Sequence, residues 1–315
     1  MGTKIPDLGR AAYESLRQEP LLAGFVGLAV LASLYLTFRG AGPSGMLIRL
    51  MFSPLLLVWV ALVAGLTHWA TKGQEFPAPS VRSPLAESLV LLLYIAWLNF
   101  SYAYGAKIEG FGWLPGYHEA SWVRGLSRRL ATWLGDWVRA DEQALHLLEF
   151  AVFTNGILWI VFPLLLLGLF GYRPGELGVW NLRFWWLGLL IGAATFLPFI
   201  VRVLVERGVE VVAPIVLLAN FMNAFKEEFL FRGLLQTRLE ALTGSSVDGM
   251  VLSALIFGLI HIPSGGFRAY FPDPAGALAY ALVTGAGGLA LGYLYLRTRS
   301  LAPGTLIHFL GNSLG

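Results

Sequence analysis

Apolar residues fall into eight long runs along the chain, at residues 21–38, 46–70, 84–104, 147–171, 184–205, 213–235, 247–262 and 275–296, separated by stretches that hold most of the charges. An α-helix needs about 20 such residues to cross a bilayer. The pattern therefore predicts an all-α, polytopic membrane helix bundle with about eight transmembrane helices, the run at 247–262 being short for a full span. Residues 301–315 are shorter still, and Pro303 suits the first turn of a helix. A short C-terminal helix that enters the bundle without crossing it is expected there. The first run is long enough to span, so it reads as a membrane helix rather than a cleaved signal peptide. Residues 1–20 form a polar lead-in carrying Lys4, Arg10 and Arg17, and residues 21–315 read as a single integral membrane domain without internal repeats.

The longest connection, residues 105–146, has a pattern of its own. Trp122, Val123, Leu126, Leu130, Trp133, Leu134, Trp137 and Val138 recur at helical spacing, while Arg124, Arg128, Arg129 and Arg139 fall mostly elsewhere around the helix. A basic, Trp-rich amphipathic helix of this kind lies in the headgroup plane. It is expected near 122–139, as a membrane anchor or as a lid over a substrate path. In the eighth run, Gly285, Gly287, Gly288 and Gly292 mark a close helix contact, with Gly288 and Gly292 forming a Gly-x-x-x-Gly step.

Composition narrows the function classes. The chain is 57% hydrophobic and only 13% charged, against about 25% charged in soluble domains, so its working solvent is the lipid bilayer. A net charge of +3, scattered and without a base-reading motif, argues against nucleic acid as a partner. With no cysteine, disulfides, thiolate catalysis and thiolate metal sites are excluded. Lys72, Arg82, Arg173, Arg183, Arg238, Arg297 and Arg299 fall on the side of the N-terminal charges, which by the positive-inside rule makes the N-terminus cytoplasmic.

Against this background the sixth run carries an anomaly. Lys226-Glu227-Glu228-Phe229-Leu230-Phe231-Arg232 puts four ionisable side chains into an apolar helix, where each charge costs roughly 2.5–3.5 kcal/mol unless it is paired or used. Glu228 and Arg232 are four apart with the acid first, the favourable order for an ion pair. Glu227 points about 100° away from that pair, along a stripe shared with Asn220 and Asn223. The seventh run stacks Ser253, Phe257 and His261 on one face, and the last segment stacks Thr305, His308 and Asn312. Taken singly, each face reads equally well as a buried ion pair or interhelical polar glue. Three such faces in one bundle are costly unless they meet. Meeting, they would place an acid, two imidazoles and an amide around one cavity, a set sufficient for hydrolysis.

Glu227-Glu228-x-x-x-Arg232, Phe257-x-x-x-His261 and His308-x-x-x-Asn312, in this order, resemble the three motifs of the CAAX protease and bacteriocin-processing family of intramembrane glutamate proteases, which includes type II CAAX prenyl endopeptidases. Gly292, Tyr293, Arg297 and Thr298 are similar to the family's approach to its last motif. The resemblance covers roughly residues 171–315 and leaves the Trp-rich connection outside. It implies an intramembrane endopeptidase of a prokaryotic inner or plasma membrane, with no cofactor and no metal, acting on a membrane-associated or lipidated peptide. It also implies roles: Glu227 with His261 activates water, His308 and Asn312 stabilise the oxyanion, and Glu228 and Arg232 hold Glu227, Glu228 sharing in catalysis. Asn223 and Phe257 are expected to support the site.

Two other readings use the same residues. His261, His308 and Glu227 form a two-histidine, one-carboxylate set for zinc, although no His-Glu-x-x-His motif is present. A buried Glu–His relay also suits a non-catalytic membrane binding protein or a proton-coupled carrier.

Overall fold

The computed structural model describes residues 18–38, 54–104, 121–138, 140–179, 181–207, 214–262 and 274–314. The polar lead-in before residue 18, Arg139 and the side chain of Trp122 lie outside the described residues. Among the described residues the regular structure is entirely helical. The helices are α1 (Pro20–Phe38), α2 (Pro54–Ala70), α3 (Pro84–Tyr104), α4 (Ser121–Val138), α5 (Glu142–Gly168), α6 (Trp185–Arg207), α7 (residues 214–243), α8 (Ser246–Leu259), α9 (Pro274–Thr298) and α10 (Ala302–Leu314).

Proline begins five of these helices, at positions 20, 54, 84, 214 and 274. Its missing N–H is no loss there, because the first helical N–H groups have no intrahelical partner. Asp141 caps α5 through the Ala144 N–H at 2.8 Å, and Ser245 caps α8 through Asp248 N–H at 3.1 Å. Pro303 stands in the first turn of α10, as its position in the sequence suggests.

Among the described residues three helices are long and apolar enough to cross a membrane by themselves: Pro20–Thr37, Glu142–Gly168 and Pro274–Thr298. Four of the other expected spans are present as shorter apolar helices, Val58–Ala70, Pro84–Phe100, Trp185–Phe196 and Ser246–Leu259. The eighth, α7, is the charged one. Lipid-facing character is plain on the outside of the bundle, where Leu31, Leu62, Leu93 and Leu165 are 63, 59, 69 and 61% exposed. The protein is an integral membrane protein built as a polytopic helical bundle.

The centre of the bundle is α7. Every residue from Lys226 to Glu240 is buried, so this helix meets protein on all sides, as its charges require. Between Phe229 and Gln236 its backbone widens into π-type turns, a departure that clusters at functional positions in other helices. Around it pack Leu91 and Leu98 of α3, Leu158 and Trp159 of α5, Phe257 of α8 and Tyr295 of α9.

At one end of the bundle a second set of buried charges ties the helices together. Glu87 on α3 pairs with Arg238 on α7 at 3.1 Å, both fully buried, and Glu87 also accepts from Ser83 N–H and the Tyr172 hydroxyl. Glu240 pairs with Arg299 at 2.8 Å, and Arg297 donates to Thr71. Arg299 closes α9 in a left-handed conformation, φ 46°, strained for a residue with a Cβ and held there by its ion pair.

Small residues close the other contacts. A Cβ on Gly285 would sit 3.0 Å from Ala254 O, one on Gly288 2.9 Å from Phe257, and one on Gly292 3.0 Å from Met250. Gly287 faces open space instead. A Cβ on Gly258 would strike the carbonyl oxygen of Ala281, a backbone atom of α9 that cannot turn aside. Gly258→Ala is therefore expected to lower stability by about 1–3 kcal/mol, read as a lower melting temperature in detergent, with Gly287→Ala as the near-neutral control.

The amphipathic helix α4 is present, but its two apolar faces divide. Val123, Ser127 and Ala131 are buried against α5, and Arg124 reaches Glu149 at 3.5 Å. Trp133 and Trp137 remain 72 and 82% exposed on the outer side, where indole rings suit the headgroup layer.

Candidate active site

Three helices bring their polar faces together at the middle of α7. Arg232 Nη1 lies 3.1 Å from Glu228 Oε1, and both side chains are 1% exposed. The guanidinium has two further partners: Nη2 donates to Gly288 O of α9 at 3.1 Å, and Cζ stacks 4.3 Å above the Phe257 ring of α8. From α10, His308 Nδ1 donates to the same Glu228 oxygen at 3.2 Å. Gly304, one turn earlier, lets the backbone of α10 come this close, since a Cβ there would lie 3.0 Å from Glu228 Oε2.

Glu228 is thus fully committed, and Glu227 is not. Its Oε2 is buried without a hydrogen-bond partner, 3.7 Å from His308 Nε2. The charges acting on it come from His308, His261, Lys226 and Arg232. Lys226 is itself buried, its ammonium 4.7 Å from the Trp159 ring centre.

His261 lies two residues beyond the end of α8, and its position follows from how α8 is held. Ser253 Oγ donates to Phe231 O at 3.0 Å, and the Phe257 ring packs edge-on against Phe231 at 5.2 Å and against His261 at 4.8 Å. Phe257 is therefore the shared wall of the site, touching Arg232, His261 and, at 6.4 Å, the His308 ring. His261 Nδ1 lies 2.7 Å from Phe257 O. A carbonyl only accepts, so Nδ1 carries a proton.

The remaining expected residues lie near but make fewer contacts. Asn312 is one turn beyond His308, its amide nitrogen buried with no hydrogen-bond partner. Asn223, one turn before Glu227, is half-buried, and Asn220 donates to Ser313 of α10 at 3.3 Å, so that part of the polar stripe fastens α7 to α10. Among the described residues no group of three His, Asp or Glu side chains is arranged to hold a metal ion. Two contributors to the site went unnoticed in the sequence: the Gly288 carbonyl and the bare Cα of Gly304. A glycine signals close approach without saying what approaches.

The segment bearing these motifs has a family match. Residues 209–314 match the family described as Rce1-like, type II CAAX prenyl endopeptidase Rce1-like, a span that begins later than the resemblance traced above. Among curated proteins and solved structures none matches the chain. At family level the match supports a CAAX-type intramembrane protease, with a bilayer environment and a peptide substrate. The C-terminal third of the chain, which contains every residue of the site, is similar to this family, a likeness consistent with the CAAX protease and bacteriocin-processing motifs.

Proposed function

We propose that the protein is an intramembrane endopeptidase in which Glu227, with His261, activates the water that attacks a peptide bond of a membrane-associated or lipidated protein. The observation that carries this reading is the division between the two glutamates. Glu228 is spent on Arg232 and His308, whereas Glu227 presents a buried oxygen with no hydrogen bond among two imidazoles from other helices.

In this scheme the Glu227 carboxylate takes a proton from water as the water oxygen bonds to the scissile carbonyl carbon. The electron pair of the C=O bond moves to oxygen, and His308 and Asn312 donate to the oxyanion. When the C–N bond breaks, the proton passes to the leaving amine. His261 orients the water. His308 donates toward the oxyanion only with a second proton on Nε2, because its Nδ1 hydrogen is engaged by Glu228. The anionic Glu228 offsets the charge of that ring, which is its share in the chemistry.

Comparing membrane peptides by mass spectrometry in cells carrying wild-type or Glu227→Ala protein tests the proposal. A peptide pair present only with the wild type names the cut bond. Identical peptide populations would remove the protease reading. The N-terminus is proposed to be cytoplasmic, from the basic residues gathered at the Arg82, Arg238, Arg297 and Arg299 end of the bundle. Protease protection of an N-terminal tag in inside-out vesicles checks this, since a protected tag would reverse the assignment.

A further inference from the structure

Lys226, the first charge of the α7 cluster, has no part in the mechanism above. It is 7% exposed, and its ammonium lies 4.7 Å from the centre of the Trp159 ring of α5. Met222, one turn earlier, meets the same helix, its Cε 3.5 Å from where a Cβ on Gly156 would stand. Among the described residues the ammonium makes no hydrogen bond and no ion pair; the ring is its contact. A ring face offsets part of the cost of burying a cation, but it leaves three N–H donors without an acceptor. A charge inside an apolar bundle persists where it is paired or used, and in the free protein this one is not paired.

Its place relative to the site follows from the helix itself. Consecutive residues step about 100° round the axis. Glu228 faces α10 through His308, Glu227 comes one step on, and Lys226 a second step on, against α5. Glu227 therefore stands between a wall made by α10 and a wall made by α5. Asn223 lies four residues before Glu227 and three before Lys226, a neighbour of both on the helix surface. It is half-buried, and among the described residues it too makes no hydrogen bond. The α10 wall carries the two donors assigned above to the oxyanion. On the α5 side stand an ammonium and an amide with N–H groups to spare.

We infer that Lys226, with Asn223, is a binding subsite for a carboxylate of the peptide substrate, held on the α5 side of Glu227 while the scissile carbonyl faces α10. This rests on the endopeptidase reading and narrows it to peptides with a negative charge close to the cut bond, on a side chain or at a C-terminus. A neutral peptide carbonyl would satisfy the amide and leave the ammonium without its counter-ion. A carboxylate supplies both the charge and enough acceptor sites for the two donors.

The test uses purified wild type, Lys226→Met and Asn223→Leu on the peptide whose cut bond the mass-spectrometric comparison names, made as the native acid and in forms with each carboxylate in turn replaced by its amide. With wild type, one amide form is expected to lose roughly 10- to 100-fold in kcat/KM, the range for hydrogen bonds to a charged group, chiefly through KM. Which form it is separates a C-terminal from a side-chain carboxylate. Lys226→Met is expected to cleave the acid and that amide form equally well, and Asn223→Leu to keep a reduced preference for the acid. A wild type that cleaves all forms alike overturns the inference and leaves the endopeptidase reading standing. So does a Lys226→Met that slows acid and amide forms by the same factor, the behaviour of a mere counter-charge for Glu227. Should melting temperatures show Lys226→Met to be unfolded, Asn223→Leu decides: a smaller acid-over-amide ratio supports the inference, and an unchanged ratio overturns it. A wild type that cuts no peptide removes the endopeptidase reading and this inference together.

Discussion

Glu227→Gln is expected to lower the cleavage rate of purified protein by about 10²- to 10⁴-fold, the usual contribution of a positioned general base, without loss of fold. The substitution is nearly isosteric, and Glu227 Oε2 accepts no hydrogen bond that the change would break. The amide that replaces the carboxylate cannot accept a proton from water. Kinetics in detergent or liposomes check this, with substrate affinity measured separately. A variant that turns over at the wild-type rate would reassign the base.

Arg232→Ala is expected to have the largest effect on stability, roughly 3–5 kcal/mol, because removing one member of a buried pair strands the other. Glu228, 1% exposed, would lose its guanidinium and keep only His308, while Gly288 O loses a donor and the Phe257 ring loses its cation. The double variant Glu228→Gln, Arg232→Met, which leaves no buried charge unpaired, is expected to recover much of the loss. Denaturant titration of the three proteins measures both numbers. A loss under about 1 kcal/mol for Arg232→Ala, the range of an exposed pair, would mean that water reaches this pair in the folded protein.

The contrast between these two variants separates the neighbouring glutamates. On the proposed mechanism, the Glu227 variant is expected to change turnover and the loss of the partner of Glu228 to change stability. Their adjacency in the sequence hides the distinction, because both sit in the same apolar run with the same side chain.

Much of the architecture was legible in the order of residues. The run at 84–104 coincides with α3, Pro84–Tyr104, since proline marks the start and apolarity the length. The boundaries fail where polar residues take part in the helix. The sixth run breaks at 235, yet α7 continues to residue 243, because Gln236, Arg238 and Glu240 find partners on α9, on α3 and at Arg299. A hydropathy pattern reads such residues as the end of a span, and only the neighbouring helices make them buried. In α4, likewise, the amphipathic pattern is evident, but the sequence does not separate the Val123–Ser127–Ala131 face that packs on α5 from the Trp133 and Trp137 face left outside.

The identities of Glu227, Glu228, Arg232, His261, His308 and Asn312 stood out because ionisable and amide groups are expensive inside an apolar bundle. Their pairing did not. The i, i+4 geometry within α7 indicates Glu228–Arg232, but the approach of His308 to Glu228 depends on Gly304 admitting α10, and the seat of Arg232 depends on a carbonyl of α9. Residues on one helix are related by a fixed rise and rotation, so a list of amino acids determines which of them share a face and which must be buried. The packing of separate helices depends on volumes and carbonyl directions spread across the whole chain. Only the assembled bundle could decide that one glutamate is neutralised and the other kept with an open oxygen.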